Sequence, residues 1–149
     1  MNNKIFIDSS IFIENFKGNS TAKEILEVAI DICINSIVFS EVIFKLLALK
    51  SGKSPLTLRS QKSVSPLIKE LKDYSNLLLL FNVLGETKDI LRISLNYMHR
   101  YNLLTNDALI LSTCKYYNIP KLVSFDRDFE EVAKNEDIQL IKSAKDFEL

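Results

Sequence analysis

Short, wholly apolar runs alternate along this chain with longer stretches whose apolar residues return every three or four positions. Ile5-Phe6-Ile7 is the first such run, closed by Asp8 and two serines, and it reads as a buried strand. Thr21-Ala22-Lys23-Glu24 fits a capping box, with Ser20 or Thr21 as cap, and predicts a helix to about Ile30. Ile32-Cys33-Ile34-Asn35 is a second strand. Ser36 then opens a helix from about Ile37 to Lys50, which Ser51-Gly52-Lys53-Ser54-Pro55 breaks. A long polar connection leads to a helix over Val64 to about Asn76, with Pro66 in its first turn.

Leu77 to Leu84 is ambiguous by periodicity, and a third strand is expected near Leu79 to Val83. From Gly85 and Glu86 a helix with Leu91, Leu95 and Met98 on one face reaches about Tyr101. Asn106 or Asp107 is expected to cap the next helix, which is apolar nearly all round and therefore buried. Asn118-Ile119-Pro120 ends it. Lys121 to Phe125 reads as the fourth strand, Arg127 to Ala133 as a short helix, and Ile138 to Ile141 as a last strand. Strands alternating with helices imply a parallel sheet with helices on both faces and right-handed crossovers.

That architecture gives the acids a meaning. Asp8 ends the first strand, Asp107 starts a buried helix, and Asp126 follows the strand after that helix. In a parallel sheet the strand C-termini and helix N-termini share one edge, where open α/β sheets bind ligands. Glu41 lies among Val38, Phe39, Val42, Ile43 and Phe44, where an acid costs desolvation unless it is paired or metal-bound. Two carboxylates ~4 Å apart repel by ~4 kcal/mol at an effective dielectric of about 20. Gathering them calls for a cation, and an all-oxygen set suits Mg²⁺ or Mn²⁺.

Each acid alone also has an ordinary reading. Asp8 could be a turn residue, Glu41 part of a solvated face, Asp107 an N-cap, and Asp126 a turn or cap residue. Asp128 fits a first-turn acid favoured by the helix dipole. Ser9, Ser10 and Ser124 stand beside these acids, either to hold carboxylates or to make simple turn hydrogen bonds. Joint placement carries the case.

Composition narrows the field. The 149 residues are consistent with one domain, 1–149, and a real core. Three glycines leave little room for a glycine-rich phosphate loop, and the single histidine, His99, cannot build a histidine metal site. Cys33 and Cys114 lack metal-type spacing and read as buried reduced thiols. No run approaches membrane-spanning length, and Met1-Asn2-Asn3-Lys4 leads straight into the first strand, so a cytoplasmic protein without signal peptide is expected. Net charge is zero, yet Glu41 to Lys72 holds seven bases against two acids. Lys45, Lys50 and Lys53 are therefore candidate phosphate contacts, with Lys45 one helical turn from Glu41; an ordinary solvated helix surface is the alternative.

Ile5-Phe6-Ile7-Asp8-Ser9-Ser10, Ser40-Glu41-Val42, Asn106-Asp107-Ala108-Leu109-Ile110 and Leu122-Val123-Ser124-Phe125-Asp126-Arg127-Asp128-Phe129 together resemble the PIN-domain pattern, and most of all the VapC-like toxin ribonucleases. The resemblance runs through nearly the whole chain in order and spacing. It implies a three-layer α/β/α sandwich with four to five parallel strands, and Mg²⁺- or Mn²⁺-dependent cleavage of RNA to 5′-phosphate and 3′-hydroxyl ends. Asp8, Glu41, Asp107 and Asp126 match the family's acidic positions, with Asp8, Asp107 and Asp126 as metal ligands and Glu41 as a ligand or water-orienting group. Ser9, Ser124 and Asp128 would support them. Ser9-Ser10 replaces the commoner Thr-Asn, a mild departure. The implied partners are RNA, a small antitoxin and a second copy of the chain, with Ile11, Phe12, Ile13 and Phe16 as a candidate apolar contact. A catalytically idle PIN-type module that binds RNA or protein is the alternative. A phosphorylated receiver domain fits less well, since it leaves Glu41 and Asp107 without a role.

Overall fold

The computed structural model describes residues 2–148. Met1 and Leu149, the ends of the expected domain, lie outside them. Five strands form one parallel sheet: β1 (Ile5–Ile7), β2 (Ile32–Asn35), β3 (Asn82–Leu84), β4 (Lys121–Val123) and β5 (Gln139–Ile141), in the order β3-β2-β1-β4-β5. β1 and β2 are buried at every residue, as strands covered on both faces must be. β3 is an edge strand and largely exposed.

The helices follow in chain order: α1 (Ser9–Phe16), α2 (Ser20–Val28), α3 (Ser36–Ser51), α4 (Pro55–Ser60), α5 (Val64–Glu70), α6 (Lys72–Leu79), α7 (Lys88–Tyr101), α8 (Thr105–Tyr116) and α9 (Glu130–Asn135). The expected parallel α/β architecture holds, with five strands. Among the described residues no helix is long and apolar enough to cross a membrane.

Several local expectations need correction. Ser9–Phe16 is a helix, and its Ile11 and Phe12 are fully buried in the core, so they offer no surface contact; Ile13 and Phe16 are half-buried. α2 is capped by Asn19, whose side chain accepts from the Ala22 amide at 2.9 Å, not by Ser20 or Thr21. The polar connection contains α4, with Ser54 as cap and Pro55 in the first turn. The helix expected from Val64 divides at Leu71 into α5 and α6. α6 takes Leu77, Leu78 and Leu79, burying Leu78, so the third strand begins only at Asn82. α7 starts at Lys88, with Thr87 rather than Gly85 or Glu86 at its cap. Neither Asn106 nor Asp107 caps α8: the cap position is Leu104, without a side-chain bond, and Asp107 sits in the first turn.

The strand order fixes where a ligand can go. The chain runs outward from β1 through β2 to β3, then returns to lay β4 on the other side of β1. The order reverses between β1 and β4, and a crevice opens beyond their C-terminal ends. Ile7 pairs with Val123 at that end, so Asp8 and Ser124 emerge side by side.

Candidate metal centre

Asp8 is almost fully buried, and three hydroxyls hold its carboxylate. Ser124 Oγ donates to Oδ2 at 2.7 Å, Ser10 Oγ to the same oxygen at 2.9 Å, and Ser9 Oγ to Oδ1 at 3.4 Å. The hydroxyls are themselves fixed: Ser124 Oγ accepts from the Asp126 amide at 3.0 Å, and Ser10 Oγ from the Phe125 amide at 3.1 Å. This network ties the end of β1 to the turn after β4. Hydrogen bonds to a charged group are the stronger kind, which makes Asp8 a rigid base for the crevice.

Glu41 enters from α3. Ser9 Oγ, 3.2 Å from Oε1, shares its one proton between Glu41 and Asp8, and Asn106 Nδ2 donates to Oε2 at 3.4 Å. Burial lifts the Glu41 pKa above the ordinary carboxylate value; the Asn106 amide pulls against this, the Asp8 charge adds to it, and the Ser9 hydroxyl opposes it. The helix bearing Glu41 is placed by Asn35, which is fully buried. Its side chain caps α3 by accepting from the Val38 amide at 3.0 Å and donates to Thr113 Oγ1 of α8 at 3.1 Å. The two helices that carry Glu41 and Asp107 are thereby cross-linked.

Asp107, Asp126 and Asp128 make the open side. One carboxylate oxygen from each lies within 4.8 Å of the other two. Desolvation, then the charges of Asp126, Asp8, Glu41 and Asp128, push the Asp107 pKa up to about 6. That order of causes shows that the four other acids share one electrostatic neighbourhood with Asp107. Asp126 Oδ1 accepts from the Asp128 amide at 2.9 Å, capping the 3₁₀ turn Arg127–Phe129 that points both acids the same way. The donor set is all carboxylate oxygen, repelling itself and half-open to solvent. Such a set fits a hard divalent cation, which would neutralise the repulsion and take oxygen ligands in a flexible number.

The placements compare with expectation as follows. Asp8, Glu41, Asp107 and Asp126 come together at one sheet edge, with Ser9 and Ser124 bonded to them. Asp128, expected only as support, stands in the group close enough to share an ion, whereas Asp8 does not belong to that group of three. Ser10 and Asn35 carry more of the architecture than their sequence context suggests; an asparagine closing a strand before a helix is the available signal for Asn35. Lys45 lines a cavity of about 380 Å³ with Glu41 and Asn106. Lys50 lies 3.9 Å from Glu70, and Lys53 Nζ donates to Gln61 Oε1 at 3.0 Å. His99 is exposed, and both cysteines are buried and free.

A second polar cluster ties α7 and α8 to the segment after α9. Glu136, following α9, accepts from Tyr101 Oη at 2.6 Å and Tyr97 Oη at 3.0 Å, and pairs with Arg100 at 3.2 Å and Lys115 at 3.3 Å. Burial works to raise its pKa, but the bonds from Tyr101, Tyr97 and Lys115 outweigh it and hold the carboxyl below its usual value. These contacts lock the end of α7 to α8, whose first turn carries Asp107.

Comparison with known proteins agrees with the geometry. The PIN domain profile matches residues 5–135. The chain is 37% identical over 140 residues to Ribonuclease VapC6 of Methanocaldococcus jannaschii, covering 86% of this chain and 92% of that protein. Against Ribonuclease VapC2 of the same organism, identity is 38% over 134 residues, covering 87% and 89%. A toxin-antitoxin complex from Klebsiella pneumoniae contains a chain of the same fold, with TM-score 0.66, 20% identity, and coverage of 93% and 97%. The protein therefore belongs to the PIN domain family, and the resemblance read from its acidic blocks holds along nearly its full length.

Proposed function

We propose that this chain, acting as one nuclease domain, is a divalent-metal-dependent endoribonuclease and the toxin of a toxin–antitoxin pair. The observation that carries the reading is the convergence of Asp8, Glu41, Asp107, Asp126 and Asp128 at the switch point of the sheet, in a chain whose relatives bear the name ribonuclease. Asp107, Asp126 and Asp128, with Asp8 beneath them, are the residues to hold Mg²⁺ or Mn²⁺. A divalent ion held there would neutralise charge at the phosphate and acidify water for attack.

The chain's own groups do the rest. Ser10 and Ser124 keep Asp8 in one orientation. Ser9 and Asn106 fix the Glu41 carboxylate beside the acids, where it is placed to orient water and accept its proton. Water oxygen then bonds to phosphorus as the bond to the 3′ oxygen breaks, and that oxygen takes a proton from solvent, leaving a 5′-phosphate and a 3′-hydroxyl. Lys45 meets a backbone phosphate beside Glu41, and Lys50 and Lys53 extend that track. The site of action is the cytoplasm, where RNA and a small antitoxin protein are met, and the working form is a homodimer.

The test is incubation of purified protein with single-stranded RNA. Cleavage with Mg²⁺ or Mn²⁺, abolished by EDTA and by Asp107→Asn in a folded protein, is the expected result. Cleavage that survives EDTA contradicts the metal assignment. Binding of RNA without cleavage under any divalent ion supports an idle binding module instead.

A further inference from the structure

Phe44 has no part in the chemistry above, yet it sits at the edge of the site. It lies on α3 between Glu41 and Lys45, three residues after the first, so all three face the same way. Its side chain is 58% exposed on a helix whose other large apolar residues mostly reach the core. The cavity of about 380 Å³ beside the acids is lined by Phe44 and Lys45 together with Ser9, Ile13, Glu41 and Asn106. Lys45 pairs with no carboxylate among the described residues, although Glu41 is on its own helix face. A cavity thus opens directly off the acidic centre with one exposed ring, one uncommitted ammonium and several short polar groups.

We infer that Phe44 is a stacking platform for one unpaired nucleobase of the RNA adjacent to the cleaved phosphate, with Lys45 on the phosphate that joins it. The inference rests on the ribonuclease reading and adds to it a residue that determines which nucleotide is placed beside the acids. Bases splayed out of single-stranded or looped RNA are held by aromatic faces, and a ring stacks any base because every base has a π face. The surroundings favour a nucleotide over a protein partner. Polar and charged side chains, Ser9, Ser40, Glu41, Lys45 and Asn106, surround the ring, whereas a protein contact takes a contiguous apolar patch. The cation next to the ring matches the one charge that each nucleotide brings. A stacked base at Phe44 is one helical turn from Glu41, which puts its phosphate within reach of the acids.

The chain has no tryptophan, so Phe44→Trp installs a single indole reporter at the platform. In an Asp107→Asn background, which leaves RNA uncut, a hexauridylate should quench that indole saturably. The same hexamer with an abasic nucleotide at one particular position should bind without quenching. In the active protein, Phe44→Ala should raise KM for RNA about 5- to 150-fold, the range that loss of one aromatic platform gives. It should also blur the position of the cut along the RNA, because the platform sets register, while Phe44→Tyr keeps both affinity and cut position. Phe44 is exposed, so unchanged melting of these variants is expected and is measured alongside. Quenching that persists with every abasic hexamer, or a Phe44→Ala enzyme with unaltered KM and cleavage pattern, overturns the proposal and leaves the ribonuclease reading standing. A Phe44→Ala protein that changes oligomeric state by light scattering but binds RNA equally well per protomer assigns the ring to a protein contact and also overturns it. A wild-type protein that cuts no RNA fails at the earlier step, and both readings fall together.

Discussion

The two sides of the crevice are built on opposite terms. On the β1 side, Asp8 is buried and three serine hydroxyls satisfy its carboxylate, so the acid is held by the protein itself. On the α8 side, Asp107, Asp126 and Asp128 stand within 4.8 Å of one another, and the Asp107 pKa rises to about 6 because burial and its neighbours oppose its charge. One side is satisfied by the protein's own hydroxyls; the other gathers like charges that a divalent cation would neutralise. Under the proposed function, the satisfied half would hold the geometry and the self-repelling half would hold the metal.

Separate damage to the two halves should therefore give different losses. Asp126→Asn removes charge from the open half. Loss of a cation ligand worth several kcal/mol should lower cleavage about a hundredfold or more, with melting retained, as single-turnover assays and calorimetry can show. Ser124→Ala strikes the closed half. It leaves Asp8 Oδ2 with one donor fewer and the Asp126 amide without its acceptor. Outer-shell losses of this kind lower metal affinity about 10- to 100-fold, and an unsatisfied buried group costs about 1–3 kcal/mol of stability. Denaturant unfolding should detect the second effect, which Asp126→Asn should not share.

The link between the halves can be cut away from both. Asn35→Ala removes the α3 cap and the bond to Thr113, and should cost about 1–2 kcal/mol in urea unfolding while reducing cleavage through misplaced Glu41. The smallest effect belongs to the basic stretch. Lys45 is uncommitted, whereas Lys50 pairs with Glu70 and Lys53 with Gln61. Lys45→Ala should lower the slope of log affinity against log salt by about one, and Lys50→Ala or Lys53→Ala by less. Equal slopes for all three would show a solvated surface with no phosphate track.

The central strands and the acidic edge were legible because both depend on local pattern. Short apolar runs set between helical stretches read as buried strands of a parallel sheet, and the acids just after two of them located Asp8 and Asp126. Asp107 was found as an acid at the head of an apolar helix, although not as its cap. What stayed hidden depends on contacts distant in sequence. Ser9–Phe16 mixes serines with β-branched isoleucines and gives no helical stripe, so α1 emerges only when Ile11 and Phe12 find the core. Ser54-Pro55 was a start signal for α4, but six residues in a polar stretch carry too little periodicity to weigh against a loop. Leu77 to Leu80 suits a strand or a helix equally, and burial of Leu78 decides for α6. The closeness of Asp128 to Asp107 comes from a 3₁₀ turn that no spacing rule announces.

The repulsion in the open half makes a further statement about pH. Asp107 titrates higher in the folded chain, at about 6, than its ordinary value of 3.8, so folding is penalised once the carboxyl must ionise. The penalty is absent below about pH 4, grows as pH rises, and is complete above about 6. Metal-free Asp107→Asn should accordingly be more stable than wild type at pH 8, by about 1 kcal/mol or more, and indistinguishable from it near pH 4.

Titration of the protein with Mn²⁺ by calorimetry, at pH 7.5 and at pH 5, tests the two-sided site most directly. The expected result is saturable binding at pH 7.5 that weakens at pH 5, where the ion must displace a proton from Asp107, and that Asp107→Asn loses at both values. Binding that is equal at the two pH values and unchanged by Asp107→Asn would contradict the account.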